Sequence, residues 1–512
     1  LFTWIVAENG GLLYSPSTHE ELALGPEPPP ALLALLKARG VGPISAGRTI
    51  IATWEPHQAT VLECIHELGL DLQVIFNKNA VMILPAGVNK RTGLAAALAR
   101  LDASPHNCVG IGDAENDHAL LSFCECGVAV ENALPALKQA ADWVTNGDHG
   151  AGVCELITHL LASDLALIDP QLTRHHILVG KDAHGHDLTL APYGTLALIA
   201  GGSGAGKTTA TTGIIERFAE NKYQVCVIDP EGDHSELPEA LVSGTPEQPP
   251  DLEQVLRMLA KPSENVVVNL IGVPLADRPR FFISLLGRLQ ELRASTGRPH
   301  WLVVDEAHHV LDGAFEPALL TLPSELQSML LVTVHPERLP ELVLRQVQWV
   351  LSIGEQAGAT LSAFAKAAHK PTPLVAATPE RPGEALLWRT MSHNADMIQL
   401  VPGRWVHRRH KRKYARGDLG PDKSFVFRGP HGALNLRAQN LVAFNEIGAG
   451  VDDATWDHHL KLGHYSSWIR EHIKDEGLAE RVRAVEIDDD VDAQASRARI
   501  RQMIEDAYTN PA

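Results

Sequence analysis

The chain has 512 residues, with 62 Asp or Glu against 44 Lys or Arg and a formal charge of −18. This length exceeds one ordinary hydrophobic core and predicts two to four domains. The negative charge excludes a protein that coats nucleic acid over its whole surface, and no apolar run reaches the roughly 18 residues of a membrane span. Six cysteines without a CxxC pair favour a reducing compartment, so we expect a cytoplasmic protein.

The pattern of apolar segments divides the chain into three parts and predicts an α/β protein. Residues 1–165 alternate short strands with Ala/Leu-rich helices, which indicates βα units and a parallel sheet. Residues 175–403 open with a predicted hairpin and then repeat the alternation with longer apolar strands, which predicts a doubly wound sheet buried on both faces. Six apolar runs are expected as its strands, at 195–200, 223–229, 265–273, 301–306, 330–334 and 349–353. Residues 404–512 read as a mostly helical accessory domain.

A glycine-rich loop lies between a predicted strand and a predicted helix. It satisfies the pattern GxxxxGK[ST], whose glycines let backbone N–H groups converge on phosphate oxygens. We expect Lys207 to reach the β- and γ-phosphates and the Thr208 hydroxyl to contact Mg²⁺, beside a helix N-terminus. The predicted nucleotide-binding residues are Gly201, Gly202, Ser203, Gly204, Ala205, Gly206, Lys207, Thr208 and Thr209.

A second acidic motif follows the loop by about a hundred residues. The buried strand predicted over 301–304 delivers Asp305 and Glu306 at its carboxyl end, the edge where open α/β sheets bind ligands. Asp305 suits direct or indirect coordination of Mg²⁺, and Glu306 suits orienting and deprotonating the attacking water. Together with the loop, this pair predicts ATP and Mg²⁺ as cofactors.

The segments HILVGKD, VIDPEGDH, VVDEAHH and LLVTVHPERL make residues 176–400 resemble the HerA/FtsK-like branch of P-loop ATPases. The resemblance implies an ATPase that assembles as a homo-oligomeric ring and makes Thr333 the sensor of the γ-phosphate. That branch usually has Gln directly after this Thr, whereas this chain has Val334 and His335. A ring also requires an arginine from the neighbouring subunit, for which Arg338 and Arg345 are candidates.

The segment GIGDAENDHALL at 110–121 places Asp113 and Asp117 four residues apart after a predicted strand, an arrangement of oxygen ligands that suits Mg²⁺. With IVAENGGLLY, the Lys90 segment and VAVENALPALKQAADWVT, it makes residues 1–165 resemble Cof-type phosphatases of the haloacid dehalogenase superfamily. The resemblance implies that Lys90 neutralises a phosphoryl-aspartate, that Asp113 and Asp117 serve the metal, and that Asn132 lies near substrate.

In that family the nucleophile lies in a DxDGT strand ahead of the segment that begins this chain. No DxD occurs near Leu1, so we expect a fragment of a longer phosphatase–ATPase fusion with an incomplete phosphatase. The alternative is a degenerate phosphatase fold kept as a scaffold.

The one dense basic run is HRRHKRKYAR at 407–416, which is interpreted either as a contact for nucleic acid, such as DNA, or another polyanion, or as a solvated linker. The Trp and Tyr residues that follow are expected to form a core. The leading hypothesis is an Mg²⁺-dependent ATPase coupled to a phosphatase-like domain. Two alternatives stay open: a phosphatase gated by nucleotide, and a non-hydrolysing nucleotide-dependent scaffold.

Overall fold

The computed structural model describes residues 2–311, 326–405, 414–415, 419, 423–430, 432, 434–473, 475–488 and 490–509. Buried apolar side chains form separate clusters within 32–172, 177–398 and 419–504. The three-part α/β fold class is therefore confirmed, while the boundaries at 165, 175 and 403 stay predictions. Apart from Tyr414 and Ala415, the basic run at 407–416 lies outside the described residues.

The N-terminal unit contains three small sheets. Two are antiparallel, with strand orders β1-β2-β3 and β4-β5-β7-β6, and the third is parallel with order β10-β9-β8. The strands are β1 Ile5–Ala7, β2 Leu12–Tyr14, β3 Glu21–Ala23, β4 Ser45–Ala46, β5 Ile51–Trp54, β6 Leu72–Asn77, β7 Ala80–Pro85, β8 Val109–Gly112, β9 Cys126–Ala129 and β10 Trp143–Val144. The helices are α1 Pro30–Ala38, α2 Gln58–Glu67, α3 Lys90–Arg100, α4 His118–Phe123, α5 Pro135–Ala140 and α6 His149–Ser163.

The prediction of a parallel sheet is thus right only for the last part of this unit. Residues 45–85 form an antiparallel sheet instead, in which all six residues of β6 pair with those of β7. Strands joined by a tight turn must run antiparallel, and only the two residues 78 and 79 separate β6 from β7. The expected parallel crossovers occur from β8 to β9 and from β9 to β10.

The central unit is built on one sheet of twelve strands. The path of hydrogen-bonded neighbours is β12-β11-β22-β21-β19-β13-β18-β17-β14-β16-β15, and β20 pairs with β22. The strands are β11 Ile177–Lys181, β12 Asp187–Leu190, β13 Leu196–Gly201, β14 Val225–Asp229, β15 Ala240–Ser243, β16 Asn265–Asn269, β17 Trp301–Val304, β18 Met329–Thr333, β19 Trp349–Ile353, β20 Leu374–Val375, β21 Glu384–Arg389 and β22 Asn394–Leu400. The helices are α7 Lys207–Glu220, α8 Leu252–Leu259, α9 Arg278–Thr296, α10 Glu341–Gln346 and α11 Ala357–Ala367.

The strands from β15 to β19 on this path are parallel, and those from β19 to β12 are joined antiparallel. The six apolar runs expected as strands are all present, and the predicted hairpin is β11–β12. Every residue of β13, β14, β17 and β18 is buried, as a parallel sheet covered on both faces requires. Because β18 lies between β13 and β17, three strand ends meet at one edge of the sheet.

The C-terminal unit is mostly helical around a short hairpin. Its buried aromatic side chains include Trp456, Tyr465 and Trp468, which form the core expected of them. None of the helices in the described part of the chain has the length and apolarity needed to cross a bilayer. The elements are β23 Phe425–Phe427, β24 Leu436–Ala438, α12 Leu441–Gly450, α13 Asp453–Lys461, α14 His464–Trp468, α15 Glu476–Glu486 and α16 Ala493–Ile504.

Helix α7 is joined to the chain segment that leaves the central sheet. The buried carboxylate of Glu216 accepts hydrogen bonds from the backbone N–H groups of Arg404 and Trp405 at 2.7 and 2.8 Å. The Arg217 guanidinium donates to the carbonyl oxygens of Val401 and Pro402 at 2.5 and 3.1 Å. The segment that leads to the C-terminal unit is therefore held against α7.

The N-terminal and central units meet at the amino ends of β14 and β17. The fully buried Arg298 donates to the carbonyl oxygen of Asp102 at 2.6 Å, and the Asn107 amide group donates to the carbonyl oxygen of Gly297 at 3.3 Å. The ring of His300 contacts the Asn107 side chain at 3.1 Å. We call this contact region the junction; it lies at the sheet edge opposite the carboxyl strand ends.

Candidate functional site

The glycine-rich loop joins β13 to α7 and leaves residues 202–204 exposed. Gly206 precedes α7 with φ of 106°, a left-handed conformation that a residue with a Cβ rarely adopts. A Cβ on Gly201 would lie 2.3 Å from the carbonyl oxygen of Ile353 in the neighbouring strand β19. The loop therefore needs glycine at its start because of close packing and at its end because of backbone conformation.

Lys207 lies inside the curve of this loop. Its ammonium group donates hydrogen bonds to the carbonyl oxygens of Gly201 and Gly202, each at 3.0 Å, and only 6% of the residue is exposed. Burial lowers the pKa of Lys207, and the negative charges of Glu306 and Asp305 oppose that shift. The structure thus brings the loop lysine and the acidic pair together, as expected for one phosphate site.

The acidic pair follows β17 directly. One carboxylate oxygen of Asp305 accepts the Glu306 N–H at 3.0 Å, and the other lies 3.0 Å from Nε2 of His234. Glu306 has φ of 38°, an uncommon conformation for a residue with a side chain, which is typical of functional turns. The Asp305 carboxylate is therefore held by two hydrogen bonds at the carboxyl edge of the sheet, with Glu306 directly after it.

His234 contacts the acidic pair, although sequence reasoning assigned it no role. It lies in the turn after β14, where the carboxylate of Asp229 accepts the N–H groups of Gly232, Asp233 and His234 at 2.7, 3.1 and 2.8 Å. Burial raises the pKa of Asp229 to about 6, although the charge of His234 favours the ionised form. The turn that carries His234 is therefore held in place by the Asp229 carboxylate.

The pKa of His234 is set by two opposed effects. Complete burial lowers it, but the hydrogen bond to Asp305 and the charges of Asp305 and Asp229 outweigh burial and raise it to about 9. A histidine with this pKa is protonated at neutral pH and donates to the carboxylate. The histidine at the end of VIDPEGDH, beside two acids, was the sequence signal for this contact.

Thr333 ends β18, between the loop and the acidic pair. Its buried hydroxyl lies 3.0 Å from Nδ1 of His308 and accepts the His335 N–H at 3.0 Å. Burial, with the charges of His309, His335 and Arg338, lowers the pKa of His308 to about 3, so its ring is neutral. The same ring lies 3.5 Å from Oε2 of Glu306 and connects the Thr333 and Glu306 side chains.

The remaining residues expected at this site occupy less central positions. Thr208 and Thr209 follow Lys207 in the first turn of α7. Arg338 and Arg345 are exposed, and the Arg345 guanidinium pairs with Glu341 at 2.6 Å. A residue that acts on a neighbouring subunit must be exposed, as both arginines are. Their role in a ring stays a prediction.

A second cluster of charged residues follows β8 in the N-terminal unit. The Lys90 ammonium group donates to Oδ1 of Asp117, while Oδ2 of Asp117 accepts the backbone N–H groups of Asp113 and Ala114 at 3.0 and 3.1 Å. Lys78, which sequence reasoning missed, contacts Asp113 at 2.8 Å. The structure therefore brings Lys90, Asp113 and Asp117 together, and their roles in a phosphatase site stay predictions.

Two further expectations for this cluster are refined. The motif GIGD predicts that Gly112 permits a tight turn. A Cβ there would lie 2.5 Å from the Asp117 side chain, so glycine is required for close approach. The Asn132 carbonyl group accepts the His149 N–H at 2.7 Å, which holds Asn132 at the start of α6.

Comparison with known proteins identifies two families along the chain. A model of haloacid dehalogenase-like hydrolases matches residues 58–157, and a model of the CobQ/CobB/MinD/ParA nucleotide binding domain matches residues 196–286. These matches confirm the hydrolase and P-loop parts of the expected resemblance. Membership of the HerA/FtsK-like branch of the P-loop proteins stays a prediction.

Among curated relatives, phosphoglycolate phosphatase 2 of Saccharolobus solfataricus is 33% identical over 120 residues, 23% of this chain and 50% of the relative. The phosphoglycolate phosphatase of Methanopyrus kandleri is 30% identical over 166 residues, 31% of this chain and 72% of the relative. The chain thus spans half the length of the first relative and about three quarters of the second.

Among solved structures, the genome packaging NTPase B204 from Sulfolobus turreted icosahedral virus 2 is 17% identical and covers 40% of this chain and 98% of its own, with a TM-score of 0.28. A haloacid dehalogenase-like hydrolase from Bacteroides thetaiotaomicron is 18% identical and covers 31% of this chain and 76% of its own, also with a TM-score of 0.28.

The close packing at the start of the loop leads to a prediction about stability. Gly201→Ala should lower the free energy of unfolding by about 1–3 kcal/mol, because the new Cβ overlaps the Ile353 carbonyl oxygen. Gly202→Ala is the matched control, since no atom lies within 4 Å of a Cβ at that position. Urea unfolding followed by tryptophan fluorescence measures both, and equal midpoints for the two variants would contradict the packing argument.

Proposed function

Because the chain belongs to the haloacid dehalogenase-like hydrolases through its N-terminal part and continues into a P-loop NTPase domain, we propose that the second domain binds ATP with Mg²⁺ and hydrolyses it. The observation that carries this proposal is the convergence of Lys207, Thr333 and the Asp305–Glu306 pair at three neighbouring strand ends. Phosphoryl transfer depends mainly on positioning and on stabilisation of charge, which such a cluster supplies.

The loop supports binding of the phosphates. Lys207 donates to two loop carbonyl oxygens, so its charge is already placed against the loop backbone. Helix α7 begins at this residue and directs the positive end of its dipole at the same point. A triphosphate in the loop would replace the carbonyl oxygens as the partners of the Lys207 ammonium group.

The donor set also fits a magnesium ion. Thr208 offers a hydroxyl and Asp305 a carboxylate, which are the oxygen ligands that Mg²⁺ takes in P-loop proteins. Both Asp305 oxygens already accept a hydrogen bond, from His234 and from Glu306, which suits contact with the ion through bound water. Bound Mg²⁺ would neutralise charge on the β- and γ-phosphates.

Glu306 is the residue best placed to accept a proton from water. It lies one residue beyond Asp305, its side chain is 18% exposed against 5% for Asp305, and its charge acts on Lys207. The neutral ring of His308 contacts Glu306 without neutralising it. We assign Glu306 the role of general base, with His308 and Thr333 positioning its side chain.

Two substitutions separate binding from turnover. Lys207→Ala should abolish ATP binding, because the buried cation inside the loop is lost. Glu306→Gln should keep binding and lower kcat by about 10²–10⁴-fold, because an amide cannot accept the proton. Binding of a fluorescent ATP analogue and release of phosphate measure the two effects.

The control for these variants is Lys366→Ala, which removes an exposed lysine at the end of α11 and should leave binding and turnover unchanged. If Lys207→Ala and Glu306→Gln hydrolyse ATP at the rate of the unmodified chain, the proposed function is wrong. If Lys207→Ala abolishes binding but the unmodified chain shows no turnover, the domain is a nucleotide-dependent scaffold.

His234 provides a separate test of how Asp305 is held. His234→Ala should lower kcat by about 10–100-fold and raise the Mg²⁺ concentration required for half-maximal turnover, as loss of a partner of a metal ligand does. His234→Asn keeps an N–H donor and should recover part of kcat, while the exposed His393→Ala is the control. An unchanged requirement for Mg²⁺ in His234→Ala would eliminate the positioning role.

A second function is favoured by the cluster at Lys90, Asp113 and Asp117. Its lysine and two carboxylates form the charged side of a phosphomonoesterase site, and the relatives named above are phosphoglycolate phosphatases. We propose that this unit, completed by the nucleophile-bearing DxDGT segment that is expected ahead of it, acts on the phosphate ester of a small organic acid, with ATP binding in the second domain as a candidate gate. Assembly as a ring, action on DNA and a cytoplasmic location stay predictions.

Phosphate release from phosphoglycolate, with and without a non-hydrolysable ATP analogue, tests this second function. Asp113→Asn should lower the rate by at least about 100-fold because a carboxylate that serves the metal is lost, whereas Glu131→Gln, at an exposed residue paired with Lys138, should not. Equal rates for the two variants would show that the activity arises elsewhere. The assay uses a protein that carries the expected DxDGT segment, and no release by that protein would favour the scaffold role of this unit.

A further inference from the structure

A cluster of two histidines and one glutamate lies at the junction, away from both sites described above. His106 precedes β8, Glu125 directly precedes β9, and His175 precedes β11. One ligand atom from each lies within 4.8 Å of the other two. We refer to His106, Glu125 and His175 as the junction triad.

The hydrogen bonds of His106 indicate that a cation belongs between its ring and Glu125. Nε2 of His106 lies 2.7 Å from the carbonyl oxygen of Asn221, which can only accept, so Nε2 carries a hydrogen. In the neutral ring Nδ1 then has a lone pair, and it faces an oxygen of Glu125 at 2.6 Å. Two acceptors at this distance repel each other unless a proton lies between them. A metal ion bound about 2.0–2.1 Å from each atom would replace that proton and move the two atoms to about 3.3 Å apart.

His175 distinguishes these two possibilities. Its Nε2 lies 3.4 Å from the carbonyl oxygen of Cys124, a longer contact to the same kind of acceptor that His106 has in Asn221. Metal-binding histidines typically donate their second ring N–H to a backbone carbonyl group in this way, which leaves the other nitrogen for the ion. A shared proton explains the short distance between His106 and Glu125, but it does not explain why His175 lies beside them.

Buried neighbouring side chains hold the residues of the junction triad in place. The hydroxyl of the buried Tyr223 donates to both oxygens of Glu125 at 3.0 and 2.9 Å, and its ring stacks on His106 at 3.9 Å. The neighbouring cation Arg174 is paired with Asp142 at 2.7 Å. The side chains of His106 and Glu125 are 7% and 11% exposed, and His175 is half-buried, so an ion would enter past His175.

We propose that the junction triad binds one divalent ion of the zinc class between the N-terminal and central units. Two imidazole nitrogens and one carboxylate oxygen suit Zn²⁺, whereas Mg²⁺ and Ca²⁺ require mostly oxygen ligands. The site holds the segments before β8, β9 and β11 together, and Asn221 and Tyr223 of the central unit support it. It is independent of the proposed ATP and phosphate chemistry.

The experiment measures zinc in the full chain. Protein stripped with a chelator is titrated with ZnCl₂ in excess MgCl₂, which occupies the oxygen-ligand sites, and the zinc retained after desalting is determined by mass spectrometry. We expect about one zinc ion per chain, and His175→Ala should raise the Kd for zinc by at least about 100-fold. The control His186→Ala removes an exposed histidine that also lies 3.0 Å from a carboxylate, and it should retain zinc.

A second measurement keeps the test decisive if His175→Ala fails to fold. Co²⁺ added to the stripped unmodified chain should give visible absorption bands of a site with nitrogen ligands, and Glu125→Gln should alter them. Absence of retained zinc, absence of these bands, or equal zinc in His175→Ala and the unmodified chain would each overturn the proposal. The His106–Glu125 pair would then be joined by a proton alone.

Discussion

The geometry of the nucleotide site depends on the parallel pairing of β13, β18 and β17. Ala200 pairs with Thr333, and Val304 pairs with Leu331 two residues earlier in the same strand. This register places the start of the loop, the Thr333 hydroxyl and the acidic pair at one level of the sheet. A shift of one residue would turn the buried side chains of β18 to the opposite face, so the core and the site are fixed by the same constraint.

Local signals were sufficient to predict the main parts of this site. The loop and the acidic pair each lie within a few residues of the strand that positions them, and the six apolar runs became the six strands expected. His234 could not be assigned in this way, because its partner Asp305 is 71 residues later in the chain. The contact exists only because β14 and β17 are neighbours in the sheet.

The same reasoning explains what was missed in the N-terminal unit. Alternation of strands and helices predicts parallel crossovers, but it does not show that β6 and β7 form a hairpin within this unit. Lys78 lies in the turn of that hairpin, and its contact with Asp113 depends on how the antiparallel sheet folds over β8. The contacts at the junction could not be predicted from local sequence either, since they join residues up to 196 positions apart in the chain.

Helix α7 is the element that all parts of the molecule share. It begins at Lys207 in the phosphate loop, is held to the outgoing chain through Glu216, and is followed by Asn221, which contacts His106 of the N-terminal unit. Its 14 residues span about 21 Å. A helix acts as a rigid rod over this length, so a displacement of its first turn by bound phosphate would be transmitted to both neighbouring units at once.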